Sequence, residues 1–153
     1  MATWVFDVDG CLIDSLSGTS LRPGTVDLLT RLRADDHRVV LWSAGGADYA
    51  SERAAQHGLG ALVDAFHGKD ARSADGRYDA SAVVDTLHDV VFVDDRPEDM
   101  PVGADVVTVS PYVSANPHDR ALIAALDRVH RRTTIVRQAP STTPNGHAAD
   151  AKP

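Results

Sequence analysis

The chain alternates short apolar runs with longer segments of mixed character. The first run lies in residues 3–8, where Trp4, Val5, Phe6 and Val8 are apolar. A nearly continuous apolar run of this length indicates a strand that is buried on both faces. Comparable runs predict further strands, which lie at residues 38–42, 62–66, 90–93 and 105–109.

The intervals between these runs contain helical patterns. Pro23 opens the first helix, because proline is favoured at the first helical position. The apolar positions of this helix lie on one face and are Val26, Leu28, Leu29 and Leu32. Further helices are predicted at residues 47–57, at 79–88 and from Asn116 to about 130.

Strands that alternate with helices predict a parallel sheet covered on both faces, which is an α/β fold. The length of 153 residues suits one domain with a sizeable core and is too short for two ordinary ones. We expect this domain to occupy residues 1–130. Residues 131–153 are rich in Pro, Ser, Thr and Ala, which predicts a disordered tail.

Composition excludes several classes of protein. Cys11 is the single cysteine, so an internal disulfide and a multi-cysteine zinc site are excluded. No segment approaches the roughly 20 apolar residues that span a bilayer, and the N-terminus does not resemble a secretion signal. We therefore expect a cytoplasmic protein without a membrane partner.

The charge is acidic and unevenly distributed. The formal net charge is −7, although residues 131–153 contain four basic residues and one acidic residue. An acidic body makes nucleic acid an unlikely partner, but a local basic rim would still suffice to bind it. Carboxylates gathered around a divalent cation would explain the acidity, and a solvated acidic surface would give the same composition.

Polar residues that could take part in catalysis or ligand binding follow three of the predicted strands. Asp7 and Asp9 end the first strand and point to the same side, roughly 6–7 Å apart. Ser43 follows the second strand, and Asp94 and Asp95 follow the fourth. Ligands of parallel sheets bind beyond the carboxyl ends of the strands, so these residues predict a functional site there. Two like charges need a shared cation or proton, unless the strand simply runs out into a solvated acidic loop.

Four motifs in chain order resemble those of the haloacid dehalogenase (HAD) superfamily of phosphatases. Residues 7–10 read DVDG, like the DxDG of that family, and Ser43 ends an apolar strand. Lys69 lies in the sequence HGKD, and residues 93–99 read VDDRPED, like the acidic motif at the end of a strand in the family. The resemblance implies a Rossmann-like three-layer sandwich around a parallel sheet of about five strands.

The resemblance also implies a Mg²⁺-dependent phosphatase that acts through an aspartyl-phosphate. Asp7 would be the nucleophile, and Asp9 would protonate the leaving oxygen and then activate water. The Mg²⁺ ligands would be the Asp7 carboxylate, the Asp9 main-chain carbonyl and a carboxylate of the fourth motif. Asp95 is the first choice for that carboxylate, and Asp94 is the alternative.

The resemblance implies that the second and third motifs bind the phosphoryl group. Ser43 would donate a hydrogen bond to it, assisted by the main-chain amides of Ala44 and Gly45. Lys69 would neutralise both the phosphoryl group and the nucleophile. Ser43 could instead be an ordinary helix cap, and Lys69 could be a surface residue replaced in its role by Arg72.

Two further residues bear on the chemistry. Asp9 favours phosphate-ester hydrolysis, because dehalogenase members of the family lack an acid at this position. Cys11 lies where the family usually has Thr or Val, and either packs under the loop or makes the activity sensitive to oxidation.

Neither candidate insertion point leaves room for a cap domain. Residues 10–22 and the stretch between Phe66 and Lys69 are too short to fold separately. The resemblance then implies an exposed site, which suits a bulky phosphorylated substrate or a site closed by another subunit of a homo-oligomer. Residues 67–78 are the segment that we expect to contact substrate.

Two other functions remain open. A receiver domain of the response-regulator type also has a five-stranded parallel sheet and an acidic pocket, but its acidic pair is adjacent after the first strand. The other alternative is a catalytically silent protein that keeps the fold as a binding module.

Overall fold

The computed structural model describes residues 1–128. Its sheet consists of β1 (Thr3–Phe6), β2 (Arg38–Ser43), β3 (Ala65–Gly68), β4 (Val90–Asp94) and β5 (Asp105–Thr108). The strand order is β3-β2-β1-β4-β5, and all neighbouring strands are parallel. The predicted α/β fold with a parallel sheet of five strands is therefore confirmed. The predicted tail, residues 131–153, lies outside the described residues.

Two helices connect the first three strands. They are α1 (Thr25–Ala34) and α2 (Ala47–Gln56), and residues 121–128 are also helical up to the end of the described chain. Short 3-10 turns cover Gly60–Leu62 and Pro97–Asp99. None of the helices in the described part of the chain is long and apolar enough to cross a membrane.

The sheet separates two apolar clusters, as the alternation of strand side chains requires. One face carries Trp4 and Phe6 of β1 and packs against buried leucines of α1 and alanines of α2. The opposite face carries Val5, and its other large residues are Trp42 and Phe92. Both faces are buried, which explains why the strands appear in the sequence as continuous apolar runs.

The prediction of a helix at residues 79–88 is wrong. This segment forms turns and covers the second face of the sheet through the buried Ala80 and Val83. The Asp79 carboxylate accepts a hydrogen bond from the main-chain N–H of Ser81, which competes with helical pairing. Asp89 has a positive φ of 56°, so the chain turns sharply before β4 begins.

The third strand lies later than the apolar run predicted. The 3-10 turn Gly60–Leu62 ends at the first residue of the apolar run at residues 62–66, and β3 begins only at Ala65 and extends through His67 to Gly68. Leu62 and Val63 pack against the core without belonging to a strand. The short apolar run therefore predicts correctly that the segment packs against the core, where it is half-buried, but it predicts the conformation of residues 62–64 incorrectly.

The strand order places β1 and β4 side by side at the centre of the sheet. The connections that leave β1 and β4 run in opposite directions across the sheet, toward β2 and β5. The gap between such diverging connections is where open parallel sheets bind their ligands. Receiver domains of the CheY type have the order 2-1-3-4-5, so this sheet differs from theirs.

The segment that joins β1 to α1 is compact. The carbonyl oxygen of Val8 accepts hydrogen bonds from the N–H groups of Cys11, Leu12 and Ile13. Farther along, the Asp14 carboxylate accepts hydrogen bonds from Ser17 and from the N–H of Ser20. These hydrogen bonds hold the pKa of Asp14 down to about 2. Within the described residues, this segment connects strand to helix without an inserted domain.

Arg22 joins this segment to the chain beyond β5. Its side chain is fully buried and forms a two-pronged ion pair with Asp119, at 2.7 and 3.0 Å. The same guanidinium donates to the carbonyl oxygens of Cys11 and Ser110 and lies over the ring of Tyr112. A planar guanidinium can make all these contacts at once, which a lysine could not.

Candidate active site

A cavity of about 600 Å³ lies at the carboxyl ends of β1 and β4. Four elements supply its walls, namely the loops after β1, β2, β3 and β4, and the segment after β5 adds one side. The lining residues include Asp7, Asp9, Ala44, Lys69, Asp94 and Asp95, with Ser15, Tyr78, Pro111 and Val113 farther out. The cavity therefore brings together residues that lie up to 106 positions apart in the sequence, from Asp7 to Val113.

Lys69 is held between two carboxylates at the floor of the cavity. Its Nζ lies 2.8 Å from Oδ1 of Asp7 and 2.9 Å from Oδ2 of Asp94. The Lys69 side chain is only 5% exposed, and its Nζ also lies over the rings of Trp42 and Tyr78. A buried lysine with two carboxylate partners is a fixed charge of the site, so the surface alternative for Lys69 does not apply.

Asp7, Asp94 and Asp95 form a group of potential metal ligands. One carboxylate oxygen of each residue lies within 4.8 Å of the oxygens of the other two. Hard oxygen ligands in this number suit Mg²⁺, which commonly keeps several waters beside one or two carboxylates. The donor set therefore fits the ion that the resemblance implies.

The two adjacent carboxylates of the fourth motif are used differently. Both oxygens of Asp94 have protein partners, because Oδ1 accepts a hydrogen bond from the Arg96 N–H and Oδ2 faces Lys69. No ion pair to Asp95 is found within residues 1–128. Gly10 has a positive φ of 77°, and a Cβ there would lie 3.1 Å from Oδ2 of Asp95, so the glycine leaves room for this carboxylate.

Burial and charge change the pKa values of these groups. Burial is the main reason that the pKa of Asp7 rises to about 7, with Lys69 opposing the rise and Asp94 adding to it. Burial and the Asp94 charge also raise the pKa of Asp95. Burial alone would lower the pKa of Lys69, but the charges of Asp7 and Asp94 outweigh it and raise that pKa. The site thus contains more negative charge than Lys69 can neutralise.

This excess of carboxylate charge predicts that Mg²⁺ binding depends on pH. The pKa of Asp7 is raised above its ordinary value, so protonated Asp7 stabilises the metal-free fold and this stabilisation is lost as pH rises through about 7. Mg²⁺ and the proton compete for the same carboxylate. We expect Mg²⁺ to raise the melting temperature more at pH 8 than at pH 6, measured by thermal unfolding. An equal rise at both values would contradict a role for Asp7 in binding.

Asp9 is held by a residue that the sequence did not reveal. The Tyr49 hydroxyl donates a hydrogen bond of 2.6 Å to Oδ1 of Asp9. Tyr49 lies in the first turn of α2, six residues after Ser43, and nothing in its sequence context distinguishes it from a tyrosine of the helix surface. The carboxylate of Asp9 is not part of the three-carboxylate group around Asp7.

Three of the predicted phosphate-binding residues, Ser43, Ala44 and Gly45, lie at the end of β2 and in the turn that leads to α2. Ser43 is buried, and its Oγ accepts a hydrogen bond of 3.1 Å from the Gly45 N–H. Ala44 lines the cavity. The Gly45 N–H already donates to Ser43. Of the two predicted amide donors, the main-chain N–H of Ala44 is therefore the better candidate to bind a ligand.

Two other residues from the sequence analysis have clear positions. Cys11 is fully buried, and burial, with the nearby Asp7 charge, raises the pKa of its thiol. A buried thiol of raised pKa is a poor nucleophile, which supports the packing interpretation over the oxidation one. In the segment 67–78, Tyr78 lines the cavity and Arg72 stacks over its ring at 4.0 Å.

Comparisons with known proteins give similarity of structure only. No protein-family model and no curated protein matches the sequence. An uncharacterized protein from Listeria monocytogenes serotype 4b has a TM-score of 0.60 at 9% identity, over 91% of this chain and 100% of that one.

A second solved structure is the D,D-heptose 1,7-bisphosphate phosphatase from B. bronchiseptica, complexed with magnesium and phosphate. Its TM-score is 0.51 at 17% identity, over 86% of this chain and 99% of that one. Identities this low show a shared fold rather than a shared reaction. The chain thus has a Rossmann-like α/β fold similar to that of this phosphatase structure.

Proposed function

We propose that this protein is a Mg²⁺-dependent phosphatase that hydrolyses a phosphate monoester through an aspartyl-phosphate on Asp7. The observation that carries the proposal is the position of Lys69, whose Nζ pairs with Asp7 and Asp94 at the floor of the cavity. The ammonium of Lys69 opposes the rise in the pKa of Asp7 that burial causes, and it presents positive charge to an incoming phosphoryl group. The HAD-like fold and the three-carboxylate group support the same reaction.

The side chains divide the reaction between them. An oxygen of Asp7 attacks phosphorus as the bond to the leaving oxygen breaks, and Asp9 gives its proton to that oxygen. Asp9, now ionised, takes a proton from a water molecule whose oxygen attacks the phosphorus of the aspartyl-phosphate. This second step releases inorganic phosphate and returns Asp7 and Asp9 to their starting states.

The remaining residues would bind the metal ion and the phosphoryl oxygens. Asp7, Asp95 and the Asp9 main-chain carbonyl would hold Mg²⁺, which neutralises the phosphoryl oxygens in the transition state. Asp95 is assigned as the direct ligand because Asp94 already has a partner on each oxygen. Lys69 and the Ala44 N–H would bind phosphoryl oxygens, and Ser43 supports that loop from beneath.

The substrate that we infer is a phosphate monoester on a bulky molecule or one bound with the help of another subunit. The walls of the cavity come from loops of the domain itself, and the described chain has no inserted domain to cover a small substrate. The heptose bisphosphate of the B. bronchiseptica enzyme is one chemical precedent, a sugar phosphate. We place the protein in the cytoplasm.

Hydrolysis of 4-nitrophenyl phosphate tests the proposal directly. We expect release of nitrophenolate with Mg²⁺, its loss on addition of EDTA, and its return when Mg²⁺ is restored in excess. The exposed Asp85 offers a control, because Asp85→Asn removes one acidic group outside the cavity and should keep full activity.

A catalytically silent binding module gives a different result. No hydrolysis of nitrophenyl phosphate, or of a panel of phosphorylated sugars, peptides and oligonucleotides, would contradict the phosphatase and favour that alternative. The receiver alternative is disfavoured independently, because receivers have a different strand order.

A further inference from the structure

The hydrogen bond between Tyr49 and Asp9 is short and joins a neutral donor to an acidic group. Its length is 2.6 Å, in the range of hydrogen bonds strengthened by charge. Burial, together with this bond, raises the pKa of the Tyr49 hydroxyl above its ordinary value. The hydroxyl therefore keeps its proton at neutral pH and acts as the donor.

Tyr49 is itself held in place. A Cβ at residue 45 would lie 2.7 Å from Cδ1 of Tyr49, so the ring occupies the space that Gly45 leaves free. The guanidinium of Arg53, one turn later in α2, lies 5.0 Å from the ring centroid. Ala50 and Ala54 anchor the same helix in the core. The hydroxyl is thus presented from a rigid element rather than from a loop.

The Asp9 carboxylate has few other constraints. It lies in the loop after β1 and lines the cavity. Within residues 1–128, its hydrogen bond is the one from Tyr49, and it stands apart from the group formed by Asp7, Asp94 and Asp95. Without that bond, the side chain could rotate toward the cation that this group is suited to hold.

We propose that Tyr49 is a positioning residue that keeps the Asp9 carboxylate away from the metal-binding carboxylates and directed at the leaving group, a role that rests on the proposed function. A carboxylate that ligates the cation cannot also carry the proton that the leaving oxygen takes up. The Tyr49 hydroxyl occupies Oδ1 of Asp9 and leaves the other oxygen to hold that proton. Gly45 contributes by leaving room for the ring.

The dependence of rate on the leaving group tests this role. Nitrophenolate leaves without much need for a proton, whereas phenolate and alkoxides need one in the transition state. For Tyr49→Phe we expect kcat on phenyl phosphate to fall about 10- to 100-fold, with kcat on 4-nitrophenyl phosphate changing far less. KM for both substrates should stay near the wild-type value, because Tyr49 does not contact the phosphoryl group in this proposal.

Two more variants separate positioning from general damage. Gly45→Ala displaces the Tyr49 ring and should show the same selective loss on phenyl phosphate. Tyr112→Phe is the matched control, since its hydroxyl accepts a hydrogen bond from the Asn116 N–H and not from the site. This control should leave both rates unchanged.

The outcomes distinguish this inference from the proposed function. Equal losses on the two substrates in Tyr49→Phe, or no loss on either, would overturn the positioning role while leaving the phosphatase intact. A wild-type protein that hydrolyses neither substrate would overturn both. A melting temperature of Tyr49→Phe close to that of the wild type is expected, because the ring and its packing are retained.

Discussion

Asp7→Asn is expected to abolish hydrolysis of 4-nitrophenyl phosphate. The amide cannot attack phosphorus, so no covalent intermediate forms, and loss of a nucleophile costs on the order of 10⁴-fold or more in kcat. The substitution preserves size, and the protein should remain folded, because the neutral side chain removes a buried charge. The measurement is steady-state hydrolysis at saturating Mg²⁺, with circular dichroism as the test of folding.

A second measurement tests whether Asp7 is the residue that attacks phosphorus. Rapid quenching of the wild-type protein in acid should trap one phosphoryl group per chain, and Asp7→Asn should trap none. Asp85→Asn serves again as the control and should trap as much as the wild type. Full activity in Asp7→Asn would mean that another group attacks phosphorus, and the mechanism proposed here would then be wrong.

Lys69→Met is expected to reduce both activity and stability. Removal of the ammonium leaves Asp7 and Asp94 facing each other in a site where the Asp94 side chain is only 4% exposed. Breaking one partner out of a buried ion pair costs about 3–5 kcal/mol of unfolding free energy. Loss of the charge that faces the phosphoryl group should lower kcat by about 10²- to 10³-fold.

The stability loss in Lys69→Met should depend on pH in a defined direction. Without the lysine, which opposes the rise, the pKa of Asp7 rises further, so the metal-free variant gains stability as pH falls and Asp7 takes up a proton. Chemical unfolding at pH 8 and pH 5 should show a smaller difference from the wild type at the lower pH. Arg31→Met removes an exposed i,i+4 ion pair and should cost under about 1 kcal/mol at either pH. A pH-independent loss in Lys69→Met would contradict the assigned ion pairs.

The sheet could be predicted from sequence because its strands are buried on both faces. Continuous apolar runs such as residues 90–93 in β4 have few other conformations that satisfy their side chains and their main chain together. The sequence pattern wrongly predicts a helix at residues 79–88, because apolar spacing indicates burial but not the local hydrogen bonds that decide conformation. The Asp79 side chain and the positive φ of Asp89 favour turns there, and neither is visible in a periodicity.

The candidate active site is also only partly predictable from the sequence. The acidic residues at the strand ends could be selected from sequence, because parallel strands bring their carboxyl ends to one edge. Lys69 could be selected only because its motif resembles that of the HAD superfamily. Asp94 and Asp95 could not be told apart until their hydrogen-bond partners were known. Tyr49 could not be found at all, because its role depends on the angle at which α2 leaves β2 and on the space beside Gly45.

The buried guanidinium of Arg22 connects the loop after β1 to the segment after β5, which forms one wall of the cavity. Pro111 and Val113 line the cavity, and their segment is fastened to the loop after β1 through Arg22, Ser110 and Asp119. A shortened protein ending at β5 would retain every acid, base and lysine of the site but lose one side of the cavity. In the proposed phosphatase, the side chains that shape this part of the cavity would thus come from a different stretch of the chain than those that act on the phosphoryl group.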